Sequence, residues 1–362
     1  MPPSPSLAML RNWVIAGLTA LSALWLYNPT QTYSGRVVVV GDLHGDYEHA
    51  LAVLRMAGVV ANDSLKWSGG KTVLVSTGDI VDRGDDTIAL YGLFASLRNE
   101  SVADGGRVVQ IFGNHEIMNL IGDWRYVTKG DVESFGGIAE RREAMSKGWI
   151  GRDWLEHYNM TARVPLIQGS FSLPTNYTVP AIGLAHGGIT PQFAEHGFDA
   201  INRRGHSLVS KVIQVGANMT KIKEILTPEE SDLYAEDGPL WYRGYAIDGD
   251  FKACKNARKT IQKLDVRHLV MGHTPQLNGF LVRCNGQVFV IDTGISRAYG
   301  GKQSALVFDT ALSIRNGIHK GWQEKSTITA LYVGSPPQLI SSSTESSDQR
   351  GRRTITDAKH AK

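Results

Sequence analysis

The 362-residue chain is poor in cysteine, having only Cys254 and Cys284. Their spacing fits no zinc-ligand pattern, which excludes a cysteine-type metal site. In an oxidising compartment the two could pair; otherwise they are unrelated buried thiols. Charge of one sign is also scarce. Thirty-eight Lys and Arg stand against 35 Asp and Glu, a formal net charge of +3. Without a concentrated basic face, nucleic acid is not an expected partner. There is no internal repeat, so solenoid architectures are excluded. Long apolar runs are missing as well. The longest uncharged one, Trp13 to Tyr27, is 15 residues, about 22 Å as a helix against a bilayer core of about 30 Å.

That short run still carries information. Leu7 to Leu10 could extend it across Arg11, and nothing basic follows until Arg36. The expected arrangement keeps the amino end cytosolic and takes the rest of the chain across the membrane. Residues 1–35 then form an uncleaved signal anchor, or a signal peptide cut near Ala20 to Ser22, plus a linker. The protein is expected in the lumen of the secretory pathway, as a type II single-pass anchored or a secreted glycoprotein. Five Asn-x-Ser/Thr triplets, at Asn62, Asn99, Asn159, Asn176 and Asn218, exceed the roughly two that chance predicts and favour surface loops in that compartment.

Apolar residues make up 42% of the chain and charged residues 20%, the balance of a globular core. After the polar stretch Thr30–Gly35, Val37–Val40 shows no alternation, which predicts a strand buried on both faces. A helix over Asp46–Ala57 follows, then a strand at Thr72–Ser76, a helix at Thr87–Leu97 and a strand at Arg107–Phe112. This βαβαβ pattern predicts an α/β fold with ligands at the carboxyl ends of the strands. A charged helical insertion spans about 120–175, with Trp124, Tyr126, Trp149 and Trp154 as its core. Further strands are expected at Ala181–Ala185 and His268–Met271, with a helix over Lys252–Leu264. A hairpin joins Phe280–Cys284 to Gln287–Ile291 through Asn285-Gly286, a type I′ turn signal. Late strands are expected at Ser304–Phe308 and Ala330–Val333. The catalytic domain is placed at 36–335, with a disordered polar tail at 336–362.

Five strand ends each deliver a metal-ligand residue type beside a glycine: Asp42 and His44, Asp79, Asn114, His186 and His273. One such end is weak, since a lone Asp is usually a helix cap and a lone His usually structural. Five in succession point to metal. Imidazole, carboxylate and amide oxygen together suit Mn, Fe or Zn, with Mn favoured. Six side chains are too many for one open tetrahedral ion but suit two ions sharing a ligand. A carboxylate can bridge and an amide cannot, so Asp79 is the expected bridge. Asp42 and His44 complete one ion; Asn114, His186 and His273 complete the other. Two divalent ions about 4 Å apart make water a nucleophile at neutral pH, which implies metal-assisted hydrolysis. Arg83 can fork onto phosphoryl oxygens, with Arg243 as a second clamp and Asn114 also within reach of phosphate. His115 is the expected proton donor to the leaving oxygen, oriented by Asp82.

Gly41-Asp-Leu-His-Gly, Gly78-Asp-Ile-Val-Asp-Arg-Gly and Gly113-Asn-His-Glu resemble the three signature blocks of the phosphoprotein-phosphatase branch of the calcineurin-like metallophosphoesterases. His186 and His273 match that family's later histidine ligands. The family's Ser-Ala-Pro-Asn-Tyr block is replaced by Asp292-Thr-Gly-Ile-Ser-Arg-Ala-Tyr-Gly-Gly, and Gly-His-Thr stands where Gly-His-Gln or Gly-His-Asp is usual. These features, with His186-Gly-Gly, are similar to the Shewanella-like group. The resemblance implies two mixed sheets packed as a sandwich between helices. It also implies hydrolysis of phosphoproteins, and leaves open phosphoserine/threonine against phosphotyrosine. Diadenosine polyphosphate hydrolysis is the competing activity, and a membrane-tethered binding module without activity the competing class; no ligand position is degraded, which disfavours the latter. His49, His157, His196, His206, His268, His319 and His360 fall outside the blocks and read as surface or structural. Tyr126 and Tyr299 are additional candidates for groove contacts.

Overall fold

Val37 and Val39 face one way and Val38 and Val40 the other, and all four are fully buried. That is why the run does not alternate: both faces of its strand are covered. The computed structural model describes residues 30–169, 173–315, 321–348 and 352–360. The strands are β1 (Thr30–Val40), β2 (Val73–Ser76), β3 (Arg107–Ile111), β4 (Tyr158–Asn159), β5 (Thr161–Pro165), β6 (Ala181–Ala185), β7 (His268–Met271), β8 (Leu281–Arg283), β9 (Val288–Val290), β10 (Ser304–Arg315), β11 (Gly321–Tyr332), β12 (Gln338–Ser347) and β13 (Arg353–His360). They form a sheet in the order β13-β12-β11-β10-β1-β2-β3-β4 and a second in the order β5-β6-β7-β9-β8. Both are mixed: β1, β2 and β3 run parallel while β10 is antiparallel to β1, and β6, β7 and β9 run parallel between antiparallel edges.

The sandwich core joins Val37, Val39, Val73, Val75 and Ile111 of the larger sheet to Val164, Ile182, Leu184, Val270 and Phe289 of the smaller. The outward residues Val38, Val40 and Leu74 pack with the helices. These include α1 (Tyr47–Met56), α2 (Thr87–Ser101), α3 (Asn114–Ile121), α4 (Lys129–Ser134), α5 (Ile138–Met145), α6 (Trp149–His157), α7 (Gly197–Val215) and α8 (Asp250–Leu264). The two-sheet α/β sandwich expected from the resemblance is present. The 19-residue α7 was not anticipated. At the hairpin, the Gln287 N–H donates to Cys284 O at 3.3 Å across Asn285 (φ 56°) and Gly286 (φ 76°), the expected type I′ turn.

Two boundaries are corrected. Thr30–Gly35 is not a linker but the first half of β1, paired with the far end of β10 from Thr30↔Arg315 to Gly35↔Thr310. The tail expected to be disordered holds β12 and β13. The residues of β12 lack an apolar period because most of their side chains are half-buried, yet its backbone completes the ladder offered by β11. Ile340 packs on the sandwich core, Ser347 Oγ accepts from Asn176 Nδ2 at 2.9 Å, and Glu345 lies 3.5 Å from Arg267.

Cys254, on α8, is disulfide-bonded to Cys284 beside the hairpin turn. Among the described residues no helix is long and apolar enough to cross a membrane; the 13–27 run lies outside them. Of the sequon asparagines, Asn62, Asn99 and Asn218 are exposed. Not all lie on loops: Asn99 is in α2 and Asn159 in β4, where its Oδ1 meets His206 Nε2 at 3.1 Å. In the insertion, Trp154 is fully buried, but Trp149 is 39% exposed and Tyr126 turns toward the strand ends.

Candidate metal centre

Every strand that contributes a ligand type ends at one end of the sandwich. The Asp79 carboxylate is where they converge. His186 Nε2 lies 3.2 Å from Asp79 Oδ2, His44 Nε2 3.7 Å and His115 Nε2 3.8 Å. Two groups able to hold a cation share this residue: His44, Asp79 and His115, and Asp79, His186 and His273, with the ligand atoms of each group within 4.8 Å of one another. All are buried. His44 Nδ1 is fixed on Val81 O at 3.0 Å and His186 Nδ1 on Thr77 O at 2.8 Å. Each carbonyl accepts a hydrogen bond from Nδ1–H, which turns Nε2 inward. Asn114 Oδ1 is 2.9 Å from His186 Nε2. Asp42 stands at the edge of the cluster, accepting the His273 N–H at 3.0 Å.

The loops that make this possible are tightly wound. His44, Asp79, Asp82, Arg83 and His273 all have positive φ, between 44° and 73°. Non-glycine residues adopt this conformation at a cost that clusters at functional sites. The glycines allow close approach: a Cβ on Gly272 would sit 2.1 Å from Asp42 Oδ1, and one on Gly113 2.0 Å from Asp79 Oδ1.

The donor set fits divalent cations. His273 Nε2 is buried without a hydrogen-bond partner among the described residues, an expensive state for an imidazole nitrogen unless an ion takes its lone pair. Burial, then neighbouring His186 and Arg243, press the His273 pKa down to about 2. Burial also lowers His44 to about 4 against the pull of Asp79. Both rings are therefore neutral ligands. The carboxylates show the complementary strain. Asp42 is raised by burial, then by Asp292 and Asp79, and Glu116 by burial and Asp79. So much buried negative charge needs positive charge among it.

Around this cluster the structure places the remaining candidates. His115 Nδ1 meets Asp82 Oδ2 at 2.6 Å. Burial opposes protonation of His115, but Asp79 and Asp82 outweigh it and raise its pKa. Arg83 lies between two aromatic rings, 4.3 Å from the Tyr126 centroid and 4.8 Å from that of Tyr299, and its buried Nε has no partner. Arg243 Nη1 donates to His273 O at 2.9 Å and Thr274 Oγ1 at 3.2 Å. One difference from the sequence reading stands out: the first cation group contains His115, whereas Asp42 was expected there.

Sequence reasoning gave no role to three groups. Glu116 is fully buried and accepts the N–H groups of Asp79 (2.9 Å), Ile80 (2.9 Å) and Gly113 (2.7 Å) and the Tyr91 hydroxyl (3.0 Å). It ties the second motif to the third. Asp292 follows β9 as a sixth strand end, is pushed up to about 6 by burial, and accepts Gly294 N–H at 2.9 Å; its place after an apolar strand was the available signal. Arg297 grips Asp46 through Nε at 2.9 Å and Nη2 at 3.0 Å, which sets the loop carrying Tyr299 against the first motif. Of the histidines outside the motifs, His49 Nδ1 contacts Ile295 O at 2.8 Å, and His268 lies against Phe289 and Phe308.

Such a centre, at the strand ends of a two-sheet sandwich, defines a metallophosphoesterase. Residues 35–277 match the calcineurin-like phosphoesterase family, and the chain belongs to it. It is 38% identical over 278 residues to an uncharacterized Schizosaccharomyces pombe protein, covering 76% of this chain and 77% of that one. It is 28% identical over 298 residues to Shewanella-like protein phosphatase 2 of Arabidopsis thaliana, covering 72% of each. Among solved structures it shares its fold with a cold-active protein-tyrosine phosphatase of a psychrophilic Shewanella species, with a TM-score of 0.62, 23% identity, and coverage of 84% of this chain and 80% of that one.

Proposed function

We propose that this metallophosphoesterase removes phosphate from phosphoproteins and that Asp79 bridges two divalent ions. The observation that carries the proposal is the sharing of Asp79 by two groups able to hold a cation; His44 would hold the first ion with Asp79, while His115 of that group, paired with Asp82 at 2.6 Å, is kept for proton transfer beside Arg83. The relative named as a protein phosphatase, matching over 72% of both chains, supports the substrate class. Divalent ions held by the two groups would supply positive charge against phosphoryl oxygens and make water a stronger acid. Arg83, braced by Tyr126 and Tyr299, and Arg243, held at the His273 loop, clamp the remaining oxygens in fork geometry. Water's oxygen gives up a proton to solvent and bonds to phosphorus as the ester P–O bond breaks. The leaving oxygen keeps that electron pair and takes a proton from His115 Nε2, which solvent restores. Asp82 on Nδ1 keeps Nε2 aimed into the site.

The test is phosphate release from phosphopeptides bearing phosphoserine, phosphothreonine or phosphotyrosine, compared with diadenosine tetraphosphate cleavage. Turnover of at least one phosphopeptide class is expected; cleavage of the dinucleotide alone would contradict the reading. We further propose that the chain works in the secretory lumen, anchored or secreted. The disulfide and the exposed Asn62, Asn99 and Asn218 support this. Protein from its native source should shift in mobility on deglycosylation, and an unshifted band counts against that location.

A further inference from the structure

The charged helical insertion holds a buried arginine against α3. This fully buried cation suggests a specific role. Arg141, on α5, is 0% exposed. Its Nε donates to Asp131 Oδ2 of α4 at 2.8 Å, and its Nη1 donates to Asn119 Oδ1 of α3 at 2.6 Å. Its Nη2 lies 3.6 Å from Asp82 Oδ1 and has no hydrogen-bond partner among the described residues. The guanidinium carbon stands 4.9 Å over Trp124 and 5.6 Å from the Phe135 ring. Asn119 passes the contact on: its Nδ2 donates to Asp82 Oδ1 at 2.8 Å and to His115 O at 2.9 Å.

A guanidinium stays charged at any accessible pH and is costly to bury. A stabilising insertion could fill this position with an apolar side chain at no such cost. What the charge provides is geometric. Asn119 and Arg141 occupy the Oδ1 side of Asp82, leaving Oδ2 to His115 Nδ1 at 2.6 Å. Because the planar guanidinium is held by Asp131 of α4 and in turn holds the Asn119 amide, it fixes the orientation from which Asn119 Nδ2 donates to Asp82 Oδ1.

We propose that Arg141 is a positioning residue for the proton donor: through Asn119 and Asp82 it sets the aim of His115, so that the insertion is part of the catalytic apparatus. This rests on the reading of His115 as the donor, and it adds the residue that orients the pair from outside the family motifs.

The test uses aryl phosphates graded in phenol acidity, from p-nitrophenyl phosphate to p-methoxyphenyl phosphate. The more acidic phenol leaves with little help from a proton; the less acidic one needs it. His115→Asn gives the reference slope of log kcat against leaving-group pKa. The double variant Arg141→Met/Asp131→Asn removes both buried charges together, and Arg141→Lys keeps the charge but loses the fork; thermal melting verifies that each is folded. The proposal predicts that both Arg141 variants steepen the slope as His115→Asn does. They should lose at least about tenfold more on the least acidic phenol than on p-nitrophenyl phosphate, part of the roughly 10²–10⁴ that general acid catalysis supplies. An equal loss on all substrates, or none, with a steepened slope in His115→Asn, overturns the role of Arg141 alone. An unchanged slope in His115→Asn overturns the donor reading itself, and the inference with it.

Discussion

Replacing Glu116 with Gln tests whether one buried carboxylate holds the metal-binding loops together. The substitution is nearly isosteric and leaves every candidate ligand in place. In the native protein Oε2 takes the Asp79 and Gly113 N–H groups, and Oε1 takes the Ile80 N–H and the Tyr91 hydroxyl. Glutamine has one acceptor oxygen. The cheaper orientation puts its NH2 at the Oε1 position, where the Tyr91 hydroxyl can rotate to accept but the Ile80 N–H is orphaned. An orphaned buried donor costs about 1–3 kcal/mol, and two bonds fall from charge-assisted to neutral strength at roughly 1 kcal/mol each. Relief of repulsion from Asp79, which raises the Glu116 pKa after burial, offsets part of this in the metal-free chain. The expected destabilisation is therefore about 2–4 kcal/mol, larger with metal bound than without. Asp79 Oδ1 also accepts the His115 N–H at 2.9 Å, so movement of the Asp79 backbone displaces His115. A misplacement of about 1 Å costs on the order of 10²-fold in kcat. Urea unfolding with and without added divalent metal, together with kcat on an aryl phosphate, measures both. A loss below about 1 kcal/mol with kcat intact would refute the idea that Glu116 organises the site.

Other outcomes follow from the same structure. Asp79→Asn should abolish turnover and lower metal content, since an amide cannot bridge two ions; near-normal turnover rules the bridging role out. His268, drawn down to about 4 by burial, stays neutral in the fold while the unfolded chain protonates near its ordinary 6.5. Stability should then be full above that value and fall as pH drops toward 4, by up to about 3 kcal/mol. His268→Gln should flatten the urea-derived stability between these limits, and an unchanged profile would mean His268 does not carry it. Replacing Cys254 and Cys284 with Ser opens a loop with a sequence separation of 30 and should cost about 3–4 kcal/mol in urea unfolding. A difference of less than about 1 kcal/mol would show that the crosslink does not constrain the unfolded chain.

What could be read from the sequence was whatever local chemistry dictates. Val37–Val40 announced a two-faced strand because four β-branched residues in succession leave no polar face. Asp42, His44, Asp79, Asn114, His186 and His273 were recognisable because each follows an apolar strand beside a glycine, and the structure brings them to one end of the sandwich. What escaped depends on partners distant in sequence. Glu116, Asn119 and Arg141 look like ordinary helical polar residues until α3, α4 and α5 fold against the second motif. Tyr126 read first as insertion core and only second as a groove contact, because nothing local shows that it turns toward Arg83. The strands β12 and β13 escaped because a Ser/Thr-rich segment is ordered by the edge it joins, not by its own apolar pattern. The helix α7 was missed although its signal is present: Ile201, Leu208, Val209, Val212 and Ile213 are its buried stripe, at the spacing of a helical face.

The central claim is that two ions share the Asp79 carboxylate. The most direct measurement is anomalous diffraction from crystals of active protein grown with manganese, paired with elemental analysis of the same material. Two ions per chain are expected, about 3.5–4 Å apart, both in contact with Asp79. One ion per chain in fully active protein, or two with only one touching Asp79, would contradict it.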